Sequence, residues 1–495
     1  SVKTTTMMRL LPSRNLRNIS TKHFPVSLFS TQQEWAQSFR DATSELKSDV
    51  SFLESAQQLR TLTKTNLLRA SDIRDAPERF FEAHRILARH AVEHGPGFWI
   101  RYTVHYNLFA GTVMAVGTDE QVKELQEYQD QGLLGCFSLT EKLAGVQSGL
   151  VVETTATWDE AKQCFLLNTP HEGARKNWIS QGFVADKTVV VADLIIGGKS
   201  KGPHGFVMDF RRDGELVSGI SVDDMGEKTV GNDLDNAWLS FDNVELPQHA
   251  LLSKHADVVT SKGAAEYVLK SEGIRPFDMI GQRLYTGRVA VAQAALEYRK
   301  QLFKQTKEYS DNKLTYARGD KKPSLSEIPQ LRSLYEENTK RMAEISQFAS
   351  DCEAALSECL RSDQTPSSDL VDAIATCKVL AVEDSIKACF QLKQEVGSYA
   401  LMHDSGFKHM DFLQCCKFAE GDSRILMQKM ARDEYKRYLK GNGNELAQCS
   451  MLEAKLSSHE GLSPTEAWNE EWRDVYALAE AVMQRVELKG VKSLK

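Results

Sequence analysis

The sequence has no run of 18 apolar residues, so no segment is expected to cross a membrane as a helix. Its nine cysteines (Cys136, Cys164, Cys352, Cys359, Cys377, Cys389, Cys415, Cys416 and Cys449) are odd in number and contain no C-x-x-C pair. That excludes a disulfide scaffold and a cysteine zinc site, and reads as reduced thiols; no metal is expected. Basic charge is not in excess. Lys and Arg number 61 against 68 Asp and Glu, and the net charge of −7 is the wrong sign for gripping phosphates, so no nucleic-acid partner is expected. No G-x-G-x-x-G follows a strand-like run, which sets aside a Rossmann nucleotide site. There is no internal repeat and no low-complexity tract. What remains is ordinary globular composition over 495 residues, enough for about three domains or one large helical domain with an insert.

The N-terminus stands apart. Beyond Met7 and Met8 come Arg9, Arg14, Arg17 and Lys22, several serines, and no acid before Glu34. This is the composition of a mitochondrial transit peptide, with a mature start between Phe24 and Gln33 and a matrix location expected. The plain alternative is a disordered basic tail over 1–31. The chain ends in Ser-Leu-Lys, not the Ser-Lys-Leu peroxisomal address, although a peroxisomal location is the alternative.

Three textures follow. Over 32–132 the pattern is helical: Trp35, Phe39, Leu46, Val50 and Leu53 recur at spacings near three and four, and "PERFFEAHRILARHAVEH" starts at Pro77 and stops before Gly95-Pro96-Gly97. "FWIRYTVHYNLFAGTVMAVG" reads as one buried helix. Over 133–255 short β-rich runs such as "KTVVVADLII" and "DNAWLSFDNVELP" alternate with Gly, Pro, Asn and Asp, as in a small barrel or pair of packed sheets. Over 256–441 long helical patterns return, as in a helical bundle, with a helical tail over 442–495. The expected class is mainly α with a β insert.

Glu420 lies in "CCKFAEGDSRIL", with apolar residues behind it and Gly421 in front. By itself it reads as a helix-entry acid favoured by the helix dipole. Read with "LFAGTVMAVGTDEQ", "GCFSLTE", "ETTATWD" and "DNAWLSFDNVELP", the chain from about Trp35 to Leu439 resembles the acyl-CoA dehydrogenase and acyl-CoA oxidase superfamily, the oxidase branch above all. The resemblance implies an N-terminal helical domain, a middle β domain and a C-terminal four-helix-type bundle. It also implies FAD-dependent removal of two hydrogens from the α and β carbons of a fatty acyl-CoA. Glu420-Gly421 then matches the family's catalytic pair. The carboxylate takes the α proton, and apolar neighbours strengthen it as a base. Its backbone N–H stabilises the thioester oxygen, and the glycine permits close approach.

The same resemblance implies FAD contacts from Thr140 and Glu141, from Trp178 over the flavin and Ser180 near its reactive nitrogen, from Gln394 and Gly397 at the adenine-pyrophosphate end, and from Asp422 and Ser423 at a helix start. Ser148 is offered for the pyrophosphate, on a loop whose spacing departs from the family. Lys313, Thr315 and Tyr316 stand where relatives reach a neighbouring subunit's FAD, with lysine in place of the two-pronged arginine. Arg283 is a candidate CoA contact. A homodimer or tetramer is expected. The electron acceptor stays open: oxygen for an oxidase, or electron-transfer flavoprotein for a dehydrogenase. A further alternative is a non-catalytic FAD- or CoA-binding relative that serves as an assembly module.

Overall fold

The computed structural model describes residues 31–261, 264–271, 276–316, 322–441 and 446–491, with backbone only at 261, 264 and 276–283. The transit-like segment lies outside the described residues.

The N-terminal helices are α1 (Gln32–Thr43), α2 (Phe52–Lys64), α3 (Asp72–Asp75), α4 (Pro77–His94), α5 (Gly97–Thr103), α6 (Gly111–Val116) and α7 (Asp119–Gln131). Thr31, Ser51 and Thr118 open α1, α2 and α7 with capping boxes to Glu34, Glu54 and Gln121. Trp35, Phe39 and Leu59 are buried, but Leu53 is 57% exposed. The helix stops at Thr43 and a new one starts at Phe52, so the apolar spacing does not continue in phase across the connection. The run read as one helix over 98–117 is also divided: α5 and α6 flank a π-helical stretch over Val104–Ala110.

The strands are β1 (Gly135–Ser138), β2 (Thr155–Asp159), β3 (Cys164–Asn168), β4 (Lys176–Ser180), β5 (Lys187–Ile196), β6 (Lys199–Asp209), β7 (Arg211–Arg212), β8 (Glu215–Leu216), β9 (Ile220–Asp224), β10 (Asn236–Phe241), β11 (Val244–Pro247), β12 (Ala256–Ser261) and β13 (Ala264–Leu269). One sheet runs β1-β5-β2-β3-β11, with β6 antiparallel along the free side of β5; a second runs β4-β10-β9. Phe165, Val190, Leu194, Phe206, Leu239 and Phe241 fill a core of their own in this region. Strands β12 and β13 pair antiparallel over 256–261 and 264–269, where the sequence pattern predicts the start of the helical bundle. Helix-prone Ala, Glu, Leu and Lys in "AAEYVLK" obscure this pairing.

The bundle comprises α8 (Pro276–Asn312), α9 (Pro329–Arg361), α10 (Ser368–Glu395) and α12 (Ser423–Leu439), preceded by the short α11 (Asp411–Phe418). Central α10 packs on α8, α9, α11 and α12. The tail forms α13 (Ala447–Ser458), α14 (Pro464–Glu470) and α15 (Trp472–Lys489); α15 lies on α10 and α12, and Arg485 holds buried Glu434 through two bonds of 2.6 and 2.8 Å. Among the described residues no helix is long and apolar enough to cross a membrane, and no cluster of His, Cys, Asp or Glu could hold a metal ion. All nine cysteines are free thiols.

Candidate active site

Between α11 and α12 the chain reverses through two consecutive left-handed residues, Glu420 (φ 57°) and Gly421 (φ 95°). Glycine adopts this region freely, but a glutamate there costs about 1–2 kcal/mol and must be held by its surroundings. Arg288 on α8 supplies one brace, donating from Nε to the Glu420 carbonyl at 3.2 Å. Lys378 on α10 supplies three, donating from Nζ to the carbonyls of Lys417 (2.6 Å) and Gly421 (3.0 Å) and to Ser423 Oγ (3.1 Å). Asp422 caps α12, its carboxylate accepting the Arg424 N–H at 2.7 Å.

The Glu420 carboxylate is buried. Asn107 Nδ2 donates to its Oε1 at 3.4 Å, and its Oε2 has no hydrogen-bond partner among the described residues. Gly287 on α8 makes the room: a Cβ there would lie 2.3 Å from Glu420 Cδ and Oε2 and 2.6 Å from Asn107 Nδ2. Burial raises the acid to about 7; the Asn107 bond and the charges of Arg288 and Lys378 pull against that rise. A carboxylate poised there exchanges protons near neutral pH, as a general base should.

Asn107 belongs to the π-helical stretch, a geometry that recurs at functional sites. Its neighbour His105 anchors that stretch: Nδ1 accepts the Gly135 N–H from β1 at 3.1 Å, and burial pushes the imidazole down to about 3, so the ring is neutral.

A second group forms along the edge of the β region. The Asn177 N–H donates to the Thr140 carbonyl at 2.8 Å, which sets exposed Thr140 beside Trp178. Trp178 is 57% exposed and also left-handed (φ 57°), its N–H directed at Met225 Sδ at 3.3 Å. An exposed indole at a strained backbone position suits a flat ligand better than core packing. Ser180 accepts from Asn236 Nδ2 at 3.1 Å. The loop that carries Met225 continues to Lys228, whose Nζ donates to the Leu234 carbonyl at 2.8 Å.

Other predicted residues are turned elsewhere. The Glu141 carboxylate is fully buried, 2.8 Å from Lys176 Nζ, and accepts the N–H groups of Glu153 (2.8 Å) and Thr154 (3.0 Å). Its side chain braces the sheet and has no face left for a ligand. Ser148 Oγ accepts the Gly145 N–H at 2.9 Å and donates within its own exposed loop. Ser423 Oγ faces inward to Lys378. Lys313, Thr315 and Tyr316 follow the far end of α8, and Gln394 and Gly397 lie at the end of α10. Tyr309 stacks on Tyr399 at 3.6 Å, so these five residues gather at one end of the bundle. Gly287 and Asn312 are separated by about 37 Å of helix, and Lys378 and Gln394 by about 24 Å, so this end stands apart from Glu420. The Arg283 side chain lies outside the described residues; its backbone is one helical turn before Gly287. Asn107, Gly287, Arg288 and Lys378 escaped the sequence reading. The polar residues interrupting "RYTVHYN" and "ATCKVL" were their only local signal.

No family model matches the chain. Acyl-coenzyme A oxidase 2 of Yarrowia lipolytica is 36% identical over 254 residues, 48% of this chain and 33% of that protein. Acyl-coenzyme A oxidase 1 of the same yeast is 28% identical over 353 residues, 67% of this chain and 51% of that protein. Acyl-coenzyme A oxidase 3, peroxisomal, of Arabidopsis thaliana is 34% identical over 200 residues, 40% of this chain and 29% of that protein. The chain thus spans about a third to a half of these relatives' length. Among solved structures, Arabidopsis thaliana acyl-CoA oxidase 1 superposes with TM-score 0.73 at 19% identity, covering 92% of this chain and 76% of that one. The chain has the fold of the acyl-CoA oxidases and acyl-CoA dehydrogenases. A Caenorhabditis elegans acyl-CoA oxidase-2 described as bound with FAD, ascaroside-CoA and ATP superposes at 0.73 with 19% identity (92% and 75% covered). Butyryl-CoA dehydrogenase of Megasphaera elsdenii does so at 0.62 with 18% identity (82% and 98% covered). Within this oxidase–dehydrogenase fold, the corner at Glu420 is built by α8, α10 and the π-helical stretch together.

Proposed function

We propose that the chain is an FAD-dependent acyl-CoA oxidoreductase that converts a fatty acyl-CoA to its trans-2-enoyl-CoA and delivers the electrons to oxygen. The observation that carries this reading is the Glu420 carboxylate: buried, raised to about 7, and with one oxygen unpartnered among the described residues. The α-C–H beside a thioester is a weak acid, and a desolvated carboxylate is the base suited to it. Glu420 takes that proton, the electrons of the broken bond form the new double bond, and a hydride leaves the β carbon. Bound FAD supplies the hydride acceptor. The Glu420 N–H donates to no backbone carbonyl among the described residues and is assigned to the thioester oxygen, where negative charge develops. Gly421 keeps that approach open.

Thr140, Trp178 and Ser180 fit the flat ring of the flavin, and the start of α12, capped by Asp422, is assigned to it as well. The cluster of Lys313, Thr315, Tyr316, Gln394 and Gly397 fits the other end of an FAD held by a second copy of the chain, because it stands too far along the bundle to share one cofactor with Glu420. A homodimer or dimer of dimers follows. Arg283, one turn from Gly287, is assigned to the CoA moiety. The relatives' names favour oxygen over electron-transfer flavoprotein, and the Arabidopsis relative favours the peroxisome over the mitochondrial matrix. We take the division into a helical domain, a β domain, a bundle and a tail as the working domain plan.

Anaerobic mixing with butyryl-, octanoyl- and palmitoyl-CoA should bleach the flavin, and admission of oxygen should restore its colour with hydrogen peroxide formed in equal amount. An FAD-loaded protein that none of these thioesters bleaches would support the assembly-module reading. Bleaching followed by reoxidation only with electron-transfer flavoprotein would support the dehydrogenase reading.

A further inference from the structure

We propose that Lys378 is the positioning residue of the Glu420 corner: its ammonium clamps three oxygens of the 417–423 segment, and thereby fixes the carboxylate's place and supplies part of the positive field around it. The proposal rests on Glu420 being the base.

An ammonium has three N–H donors, and Lys378 directs all three at one short segment: the last-turn carbonyl of α11 at Lys417, the carbonyl of Gly421 and the hydroxyl of Ser423. Two of these acceptors flank the left-handed pair Glu420-Gly421. Lys176 is bound differently. That lysine is equally buried, but it pairs with the Glu141 carboxylate at 2.8 Å, as a structural lysine should. Lys378 has no ion pair with a carboxylate among the described residues; its charge is met by carbonyl and hydroxyl dipoles and by the field of the corner.

The charged and titratable groups facing it are Cys416 on α11, Glu420 and Asp422 at the corner, Arg288 on α8 and Glu383 on α10. Lys417 on α11 is itself paired with Glu383 at 2.7 Å. Burial pushes the Lys378 ammonium down to about 7. Its positive charge, with that of Arg288, keeps Glu420 from holding its proton still more tightly.

The test uses the full-length, FAD-loaded protein with Lys378→Met and Lys378→Arg. Three quantities are read: amide hydrogen exchange of peptides spanning 417–426, FAD per chain, and anaerobic flavin reduction by octanoyl-CoA between about pH 5 and 9. In Lys378→Met, exchange across 417–423 should rise by at least about tenfold, since buried carbonyls lose their donor. The maximal reduction rate should fall about 100-fold, the cost of a displaced reacting group. The acid limb should move to higher pH, because a cation that favoured the ionised carboxylate is gone. Lys378→Arg holds a positive charge across the whole range, so its acid limb should not move to higher pH while its rate falls. Unchanged exchange and an unchanged limb in Lys378→Met would overturn the proposal. If Lys378→Met does not fold, Ser423→Ala removes one of the three acceptors; it should raise exchange in the same peptides and leave the limb in place, and wild-type exchange there would overturn the clamp. Glu420→Gln separates the two readings. A wild-type rate in that variant overturns the base assignment itself, whereas a slow Glu420→Gln beside an unaltered Lys378→Met overturns only the role of Lys378.

Discussion

Adding one methyl group at Gly287 tests the site from the side of the helix. A Cβ at 287 would come within 2.3 Å of Glu420 Cδ and Oε2, whereas ordinary van der Waals contact begins at 3.4 Å. The carboxylate must therefore retreat by about 1 Å, and misplacement of that size costs on the order of 100-fold in rate. Asn107 Nδ2, 2.6 Å from the same Cβ, is displaced as well, so the hydrogen bond to Oε1 is disturbed. The change acts in the opposite direction on the helix, because alanine in a helix interior is favoured over glycine by about 1 kcal/mol. Gly287→Ala should therefore keep its FAD and show a melting temperature close to wild type, yet reduce its flavin with acyl-CoA about 100-fold more slowly. Stopped-flow reduction beside a thermal melt measures both. A variant that reduces its flavin within a few-fold of the wild-type rate would show that the carboxylate seated against Gly287 is not the reacting group.

Glu420→Gln should lower the rate of flavin reduction by roughly 100- to 10,000-fold with FAD content intact, measured anaerobically. In the wild type, reduction should rise with pH through about 7, because the base acts only when deprotonated; a limb centred near the ordinary 4.5 would contradict the buried environment. The same shift sets a stability difference. A carboxyl whose folded value lies near 7 and whose ordinary value is 4.5 loses stability as pH rises between the two, by about 3 kcal/mol in all. Urea unfolding should accordingly show Glu420→Gln gaining on the wild type from about pH 5 to pH 8. Lys176→Met strands the buried Glu141 carboxylate and should cost about 3–5 kcal/mol in the same assay, without moving the pH profile of the chemistry. Sedimentation of the FAD-loaded protein should show a dimer or larger; a monomer at micromolar concentration would leave the cluster at Lys313 and Gln394 without its proposed ligand.

The order of helices, strands and helices is legible because period-3.6 and period-2 patterns are local, and so are the Ser, Thr and Asp caps. Glu420-Gly421 is legible because a short apolar frame around an acid can be matched as a motif. The parts that make the corner work are not local. Asn107 lies 313 positions from Glu420, Arg288 132, and Lys378 43 from Gly421. Each is an unremarkable polar residue in an apolar helix until the packing is known. Glu141 shows the converse: the Thr-Glu motif is visible, but the partner that absorbs its charge, Lys176, is 35 positions away. The pairing of 256–261 with 264–269 is not legible because Ala, Glu and Leu in the second strand favour a helix, and pairing overrides that preference.

Helix α8 is 37 residues of uninterrupted helix, about 55 Å long, with Gly287 against the carboxylate near its start and Tyr309 stacked on Tyr399 near its end. It therefore acts as a phase-locked shaft. One residue inserted between those contacts turns one end against the other by about 100° and shifts it by about 1.5 Å. With Tyr309 still seated, the notch at Gly287 would swing away from Glu420 and a bulkier neighbour would face it. Such a chain would keep its Glu420-Gly421 motif and lose the seat of that carboxylate, so single-residue length changes in this helix should be tolerated far less well than substitutions along its exposed side.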